Sequence, residues 1–539
     1  MFTTFDRRTF LRAVSGGAAA ALAPWSTRPA FAEPALGAAE PFSEEWLRRR
    51  AKELAATPFE ERTATLPPAL EQLDYDQFRD IRYVREQDLW YGEHDFNIEF
   101  FHMGYFYREP VKVYSVEGGQ ASEVLYSLGL FDFGKNDIGD ELDGVPGFAG
   151  LRILYPLNTT EYKDELGALL GASYFRMLGK TMLYGQSARG LSINTAGEGP
   201  EEFPIFREFY LEVPSEPDRL VMHALLDSPS VTGAYRFDIR PGEDTVMDID
   251  VALYPRTRID TVGIAPLTSM FLFAPNYRLD VDDFREAVHD SDGLLMHTGT
   301  GEWIWRPVVN PERAQVSAFV DPGVRGFGLM QRERRFSDYQ DLESRYDRRP
   351  SAWVETVGEW GPGKVVLLEL AAENETVDNL VAFWRPDTPL AEGREFTLSY
   401  RLHWCLDVPT SGPDPLRAIA TRTGSGASIG VDADKDVQLG TRLFMVDFAG
   451  DALPDPGAKV EAVVTANGGA VTSVTSEYNA PLDSWRVYFR IRPGASADAA
   501  TPAPADAPSA PPQAPVEIRC FLRLGDEAIS ETWLYRWNA

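Results

Sequence analysis

The stretch Ala234–Tyr254, AYRFDIRPGEDTVMDIDVALY, constrains the fold more than any other part of the chain. Tyr235, Phe237 and Ile239 alternate before the polar turn RPGED, and Val246, Ile249 and Val251 resume after it. A helix would scatter Tyr235, Phe237 and Ile239 around its circumference, whereas a strand lines them on one face, so the segment with its second strand predicts a hairpin. Short alternating runs broken by Gly, Pro, Asn and Asp continue from about Asp88 to Trp404. Hairpins in series predict an all-β protein built on a large antiparallel β-sandwich.

A chain of 539 residues exceeds what one ordinary core organises, so two or more domains are expected. Residues 1–32 read as an export leader outside the fold. DRRTFLRAVSGGAAAALAPW pairs Arg7 with Arg8, continues with Phe10 and Leu11, and enters a small apolar run too short to span a bilayer. It stops at Ala30–Ala32, a small-x-small cleavage pattern. The arginine pair predicts twin-arginine export and places the protein in the periplasm. Residues 33–412 are read as the large sandwich, opening with a short helix that carries Trp46, Leu47, Ala51 and Leu54 on one stripe. Gly, Ser, Thr and Asp crowd into Arg422–Asp436, so residues 413–432 are read as a linker. The strand-like runs of residues 433–539 fit a smaller immunoglobulin-like β-sandwich, interrupted by an Ala/Pro-rich, flexible loop at 494–515.

Net charge narrows the partners. The formal value is −30, and the leader itself is basic, so the exported chain is more acidic still. Such a field repels nucleic acid and anionic membrane surfaces and suits a neutral ligand. After the leader no run of about 18 apolar residues follows, so no membrane insertion is expected. The two cysteines, Cys405 and Cys520, lack zinc spacing; buried free thiols are expected, with a disulfide as the alternative. Six histidines form neither HxH nor HExxH, and neither a metal nor another cofactor is expected. YGQSARG lacks the spacing of a nucleophile elbow, and a phosphate-binding glycine loop is missing.

Two residue patterns could carry chemistry. GEWIWRP, RPSAWVETVGEW and NLVAFWRP place Trp303, Trp305, Trp353 and Trp384 beside charged residues. Indole faces stack on sugar rings while neighbouring polar groups bond the hydroxyls; equally, tryptophans fill sandwich cores. HDSDG puts Asp290 and Asp292 in a turn before a strand, and ENETVDNLVAF crowds Glu373, Glu375 and Asp378 ahead of an apolar run. Glycoside cleavage needs one protonated and one ionised carboxyl, and acidic neighbours would help hold Asp378 protonated. Each Asp also suits plain turn capping. SRYDRRPSAW adds Tyr346, Arg348 and Arg349, able to bond sugar hydroxyls or take part in a proton route.

From about Phe42 to the C-terminus, LGASYFRMLGK, YGQSARGLSINTA, APLTSMFLFAPN, HDSDGLLMHTGTGEWIWRP, RYDRRPSAWV and ETVDNLVAFWRP resemble the periplasmic glucan biosynthesis family (MdoG/OpgG/OpgD type). The twin-arginine leader makes the chain look most like the D-type member. The resemblance implies a large β-sandwich with a long cleft, a linker and an immunoglobulin-like sandwich. It implies an inverting endo-β-1,2-glucanase of the osmoregulated periplasmic glucan pathway. In that pattern Asp378 is the general acid, acting through a substrate hydroxyl, and Asp290 the general base. Glu375, Tyr346 and Arg349 match its proton route; Trp303, Trp305, Trp353, Trp384 and Arg348 are read as substrate-binding. The partners expected are β-1,2-glucan and a membrane glucosyltransferase of the same pathway. The competing reading is a non-catalytic glucan-binding factor guiding the nascent chain. A lyase would favour anionic substrates and a basic cleft, which the charge disfavours.

Overall fold

The alternation within Ala234–Tyr254 becomes a hairpin in the computed structural model, which describes residues 34–136, 138, 145, 147–278, 281–409, 414–425, 440–494 and 514–538. Val231–Arg240 pairs antiparallel with Thr245–Pro255, setting Tyr235 opposite Val251, Phe237 opposite Ile249 and Ile239 opposite Met247. All six side chains are buried. Met247, not Val246, belongs to this inward row, because strict alternation back from Ile249 turns Val246 to the other face.

The hairpin lies near the middle of a 16-stranded sheet. A 10-stranded sheet, including Asn97–His102, Phe148–Tyr155, Asp164–Leu170, Tyr174–Met177, Val262–Ser269 and Leu380–Pro386, faces it. Their inner faces share one core containing Phe175, Phe206, Phe237, Leu267 and Trp404, and the all-β sandwich expected from the sequence is present. On the outer face of the larger sheet lies the helix Glu44–Ala55, its N-terminus capped by the Ser43 hydroxyl, which accepts the Trp46 N–H at 3.1 Å. Leu47 and Ala51 are buried against Tyr210, Ala234 and Tyr254, as the stripe predicts.

The C-terminal part departs from the expected division. Arg417–Gly424, inside the stretch read as a linker, is a strand that pairs antiparallel with Arg442–Ala449. It opens a four-stranded sheet. The layer facing that sheet is the end of the 16-stranded sheet itself: Thr532–Trp537 pairs in parallel with Trp303–Pro307, and Val516–Leu524 and Val460–Asn467 follow. One hydrophobic cluster therefore spans the junction, joining Leu295, Trp305, Trp353 and Cys405 to Phe444, Phe489, Cys520 and Trp533. Arg332 fastens it with a bidentate pair to buried Glu531, at 2.6 and 2.9 Å, while Glu531 also accepts the Ala418 N–H at 2.7 Å. Glu33–Ala539 accordingly forms one compact unit. Composition marked a boundary, but the pairing of Thr532–Trp537 welds its two sides together. Cys405 and Cys520 are both buried free thiols. The leader and most of the Ala/Pro-rich run lie outside the described residues.

Because the junction core is shared, Trp533→Ala is expected to cost about 3–5 kcal/mol and to leave a single unfolding transition. Urea unfolding followed by tryptophan fluorescence and by circular dichroism checks both points; two separated transitions would show independent domains.

Candidate active site

Two turns distant in sequence hang on one short piece of backbone. The Met270 carbonyl accepts the Asp290 N–H at 2.8 Å. The next residue, Phe271, is held by Asn379, whose side chain accepts the Phe271 N–H at 2.8 Å and donates to the Phe271 carbonyl at 2.9 Å and to Leu370 at 3.1 Å. Asn379 is fully buried. HDSDG and ETVDN are thereby brought together, and the charge of Asp378 acts on Asp290.

Asp290 is 4% exposed. Burial pushes its carboxyl up to about 6, with the Asp378 charge adding and Arg349 opposing. The Arg349 Nη1 donates to Asp290 Oδ1 at 2.5 Å, and Nε donates to the Ser344 carbonyl at 3.1 Å. Asp378 is exposed to solvent, yet protein surrounds its carboxyl closely enough that burial raises its pKa. The charges opposing that rise are Arg176, Arg189 and Arg349. Desolvation, not the acidic neighbours invoked from sequence, is thus what favours the protonated acid.

Tyr346 is buried in the turn Tyr346–Arg348, with the Arg349 guanidinium 4.3 Å from its ring centre. Burial raises its hydroxyl, and the Glu375 and Asp290 charges add to the rise. Glu375 pairs with Arg285 at 2.8 Å. Asp292 points the other way from its near neighbour Asp290: it accepts the Arg332 N–H at 3.1 Å, beside the C-terminal junction. Arg348 is occupied as well, donating Nε to the Thr181 carbonyl at 2.7 Å and accepting the Leu183 N–H on its own carbonyl at 3.0 Å. It straps a loop instead of presenting a free guanidinium. Gln186 of YGQSARG is structural too, donating to the Leu329 and Pro350 carbonyls at 3.0 and 2.9 Å. Among the described residues no group of His, Cys, Asp and Glu is arranged to hold a metal.

The tryptophans read as sugar platforms are packing groups. Trp305, Trp353 and Trp384 are buried. Each indole lies across a glycine, respectively Gly293, Gly326 and Gly363, where an added Cβ would come within 2.3–2.4 Å of the ring. Trp303 is half-buried, stacked on His297 at 4.2 Å and on Trp353 at 5.7 Å. None of the four lines the main cleft.

That cleft, of about 760 Å³, is lined instead by Tyr75, Phe78, Tyr83, Tyr105, Tyr107 and Tyr174, with Glu99, Arg152 and Arg176 among them. Several rings are braced by arginine: Arg79 lies 5.5 Å from the Tyr75 ring centre, Arg152 4.9 Å from Phe101 and Arg176 5.4 Å from Tyr184. Neither aspartate is among the residues lining this cleft, but Arg176 in its wall acts on both carboxyls and the Asp378 charge reaches Tyr174.

The sequence matches the family described as periplasmic glucan biosynthesis protein, MdoG, over residues 42–537. The chain belongs to the MdoG family. It is 45% identical to Glucans biosynthesis protein G of Rhodopseudomonas palustris, over 92% of this chain and 93% of that protein. Identity is 43% to Glucans biosynthesis protein G of Bradyrhizobium diazoefficiens, over 99% of this chain and all of that one. It is also 43% to Glucans biosynthesis protein D 1 of Ralstonia nicotianae, over 99% and 98%. MdoG-family relatives of both names match almost equally, so overall identity does not single out the D type.

Sequence reasoning missed the cleft wall because it looked for tryptophan. The signal was in YDQFRDIRY (Tyr75–Tyr83) and YFYRE (Tyr105–Glu109), where aromatic residues stand beside arginines outside the strand grammar.

An Asp whose folded pKa is raised from 3.8 to about 6 binds its proton more tightly folded than unfolded, so its contribution falls as pH rises from about 4 to 6. Above that window the raised pKa costs about 3 kcal/mol. Asp290→Asn is therefore expected to exceed the wild type in stability at pH 7 and to converge with it below about pH 4. Urea midpoints measured across this range check the sign; equal midpoints at both ends would contradict it.

Proposed function

We propose that the protein acts in periplasmic glucan biosynthesis as an inverting endo-β-1,2-glucanase, with Asp378 as general acid and Asp290 as general base. The observation that carries this reading is the pair itself. Two carboxyls from separate loops are both raised by burial, the Asp378 charge adds to the rise of Asp290, and Arg176 from the wall of an aromatic, arginine-braced cleft acts on both. Glycoside cleavage by inversion needs such a pair, one protonated and one able to accept a proton. Apolar ring faces with interspersed hydrogen-bonding groups suit a neutral sugar chain.

In this mechanism the ring faces of Tyr174 and its neighbours hold the glucan while a water attacks the anomeric carbon from the side opposite the departing sugar. The water's proton passes through further water, Glu375 and Tyr346 to Asp290. Arg349 occupies one oxygen of Asp290 and favours its ionised form, which the burial opposes, leaving the group near neutrality, where a base works best. Asp378 gives its proton, through a glucan hydroxyl, to the departing glycosidic oxygen. The β-1,2 linkage rests on the family likeness. Arg7 and Arg8 fit export by the twin-arginine route.

The relatives are named for biosynthesis, which favours a second reading: a factor that binds glucan arriving from a membrane glucosyltransferase without cutting it. One assay separates the two. Incubated with linear β-1,2-glucan, the mature protein is expected to release new reducing ends. Asp378→Asn and Asp290→Asn should each lose about 10²-fold or more of the rate while still binding glucan. Binding by the wild type without new ends would establish the guiding factor instead. For export, replacing Arg7 and Arg8 by lysine should hold the precursor in the cytoplasm, read by fractionation; unchanged periplasmic protein would point to a different route.

A further inference from the structure

The site stands on three loops, and one side chain touches all of them. The loop leading to Asp290 carries Asp283 and Arg285, the loop leading to Tyr346 carries Asp341, and the loop ending at Asp378 carries Glu375. Arg285 donates Nη2 to Asp283 at 2.8 Å and Nη1 to Asp341 at 2.8 Å, and the same Nη1 lies 2.8 Å from Glu375. Its own loop is closed by Arg278, which donates to the carbonyls of Asp283 at 2.7 Å, Arg285 at 2.5 Å and Glu286 at 3.1 Å.

Apolar burial anchors the bases of these loops at Val288, Tyr339 and Tyr346 but does not hold their tips. Phe284 and Leu342, adjacent to Arg285 and Asp341, stand 78% and 81% exposed, whereas the Arg285 side chain is 14% exposed. Charge pairing supplies what the core does not. Arg285 holds Asp283 below the ordinary carboxylate range; burial pulls Asp341 up, but the Ser344 N–H and Arg285 outweigh it and leave it low as well.

The contacts continue to the aspartates by two branches. On one, Asp341 accepts the Ser344 N–H at 2.7 Å, the Ser344 carbonyl accepts Arg349 Nε at 3.1 Å, and Arg349 bonds Asp290. On the other, Glu375 lies three residues from Asp378. We infer that Arg285 is a positioning residue that keeps the acid-bearing and base-bearing loops in register. It rests on the reading of Asp290 and Asp378 as the working pair. A planar guanidinium can meet three carboxylates at fixed angles; an ammonium supplies the charge without the fork.

The test uses Arg285→Gln and Arg285→Lys in the full chain. By hydrogen–deuterium exchange, peptides covering 281–289, 336–345 and 370–379 should all exchange faster in Arg285→Gln, while Val231–Arg240 is unchanged. On linear β-1,2-glucan, kcat should fall about tenfold or more with KM within about twofold, because misplacement affects the reacting groups and not the cleft wall. Lysine should restore part of the loss. Faster exchange confined to 281–289, or kcat within about twofold of the wild type, overturns the proposal. If Arg285→Gln also loosens Val231–Arg240, Asp341→Asn, which removes one branch, should still speed exchange at 336–345 and lower kcat; no change in either overturns it. A wild type that releases no reducing ends defeats the hydrolase reading, and the exchange result alone then decides the clamp.

Discussion

The hydrogen bonds made to Met270 and Phe271 are the constraint on which the site depends. Neither HDSDG nor the ETVDN turn lies within a long strand, so neither is located by the sheets alone. Asn379 substitutes for strand pairing: it satisfies both the N–H and the carbonyl of Phe271 with one side-chain amide. A buried amide left half-satisfied costs about 1–3 kcal/mol, so this geometry resists slippage. With Asp290 bonded one residue earlier, the two carboxyl-bearing turns take their positions from a single edge of backbone. This explains why acids accumulate just ahead of the apolar strand Leu380–Pro386: the polar turn stays outside, and Asn379 carries the connection inward.

Electrostatics at this point run against the character of the whole chain. The protein is strongly acidic, yet the charges that oppose the rise of the Asp378 pKa are arginines. Burial lifts both aspartates, and the arginines limit that lift, so the outcome is a compromise between desolvation and attraction. The solvent-facing loops show the same economy. Glu375, Asp341 and Asp283 would repel one another around an empty centre, and Arg285 fills it.

Particular residues show what was legible beforehand. Tyr235, Phe237, Ile239, Ile249 and Val251 could be placed on one face because a period of two survives without knowledge of neighbours. Val246 lies in the second strand as read, on the face opposite Ile249 and Val251 because three residues is an odd step. Trp305, Trp353 and Trp384 looked like sugar platforms because charged residues flank them in sequence. Flanking residues on a strand point to the opposite face, and the deciding neighbour was a glycine on the adjacent strand. Arg417–Gly424 looked like linker by composition and proved to be a strand, because pairing with Arg442–Ala449 supplied the order that its own residues do not encode.

By itself, then, the sequence determined the all-β class, the apolar stripe of the helix at Glu44–Ala55, the two turns that hold Asp290 and Asp378, and membership of a family. Each depends on local periodicity or contiguous motif. Tertiary structure alone decided that the C-terminal strands extend the large sheet, that aromatic residues near Tyr75 and Tyr105 form the cleft wall, and that one arginine joins three loops. Those facts rest on contacts between residues far apart in the chain, and their energies exist only once the backbone has closed around them.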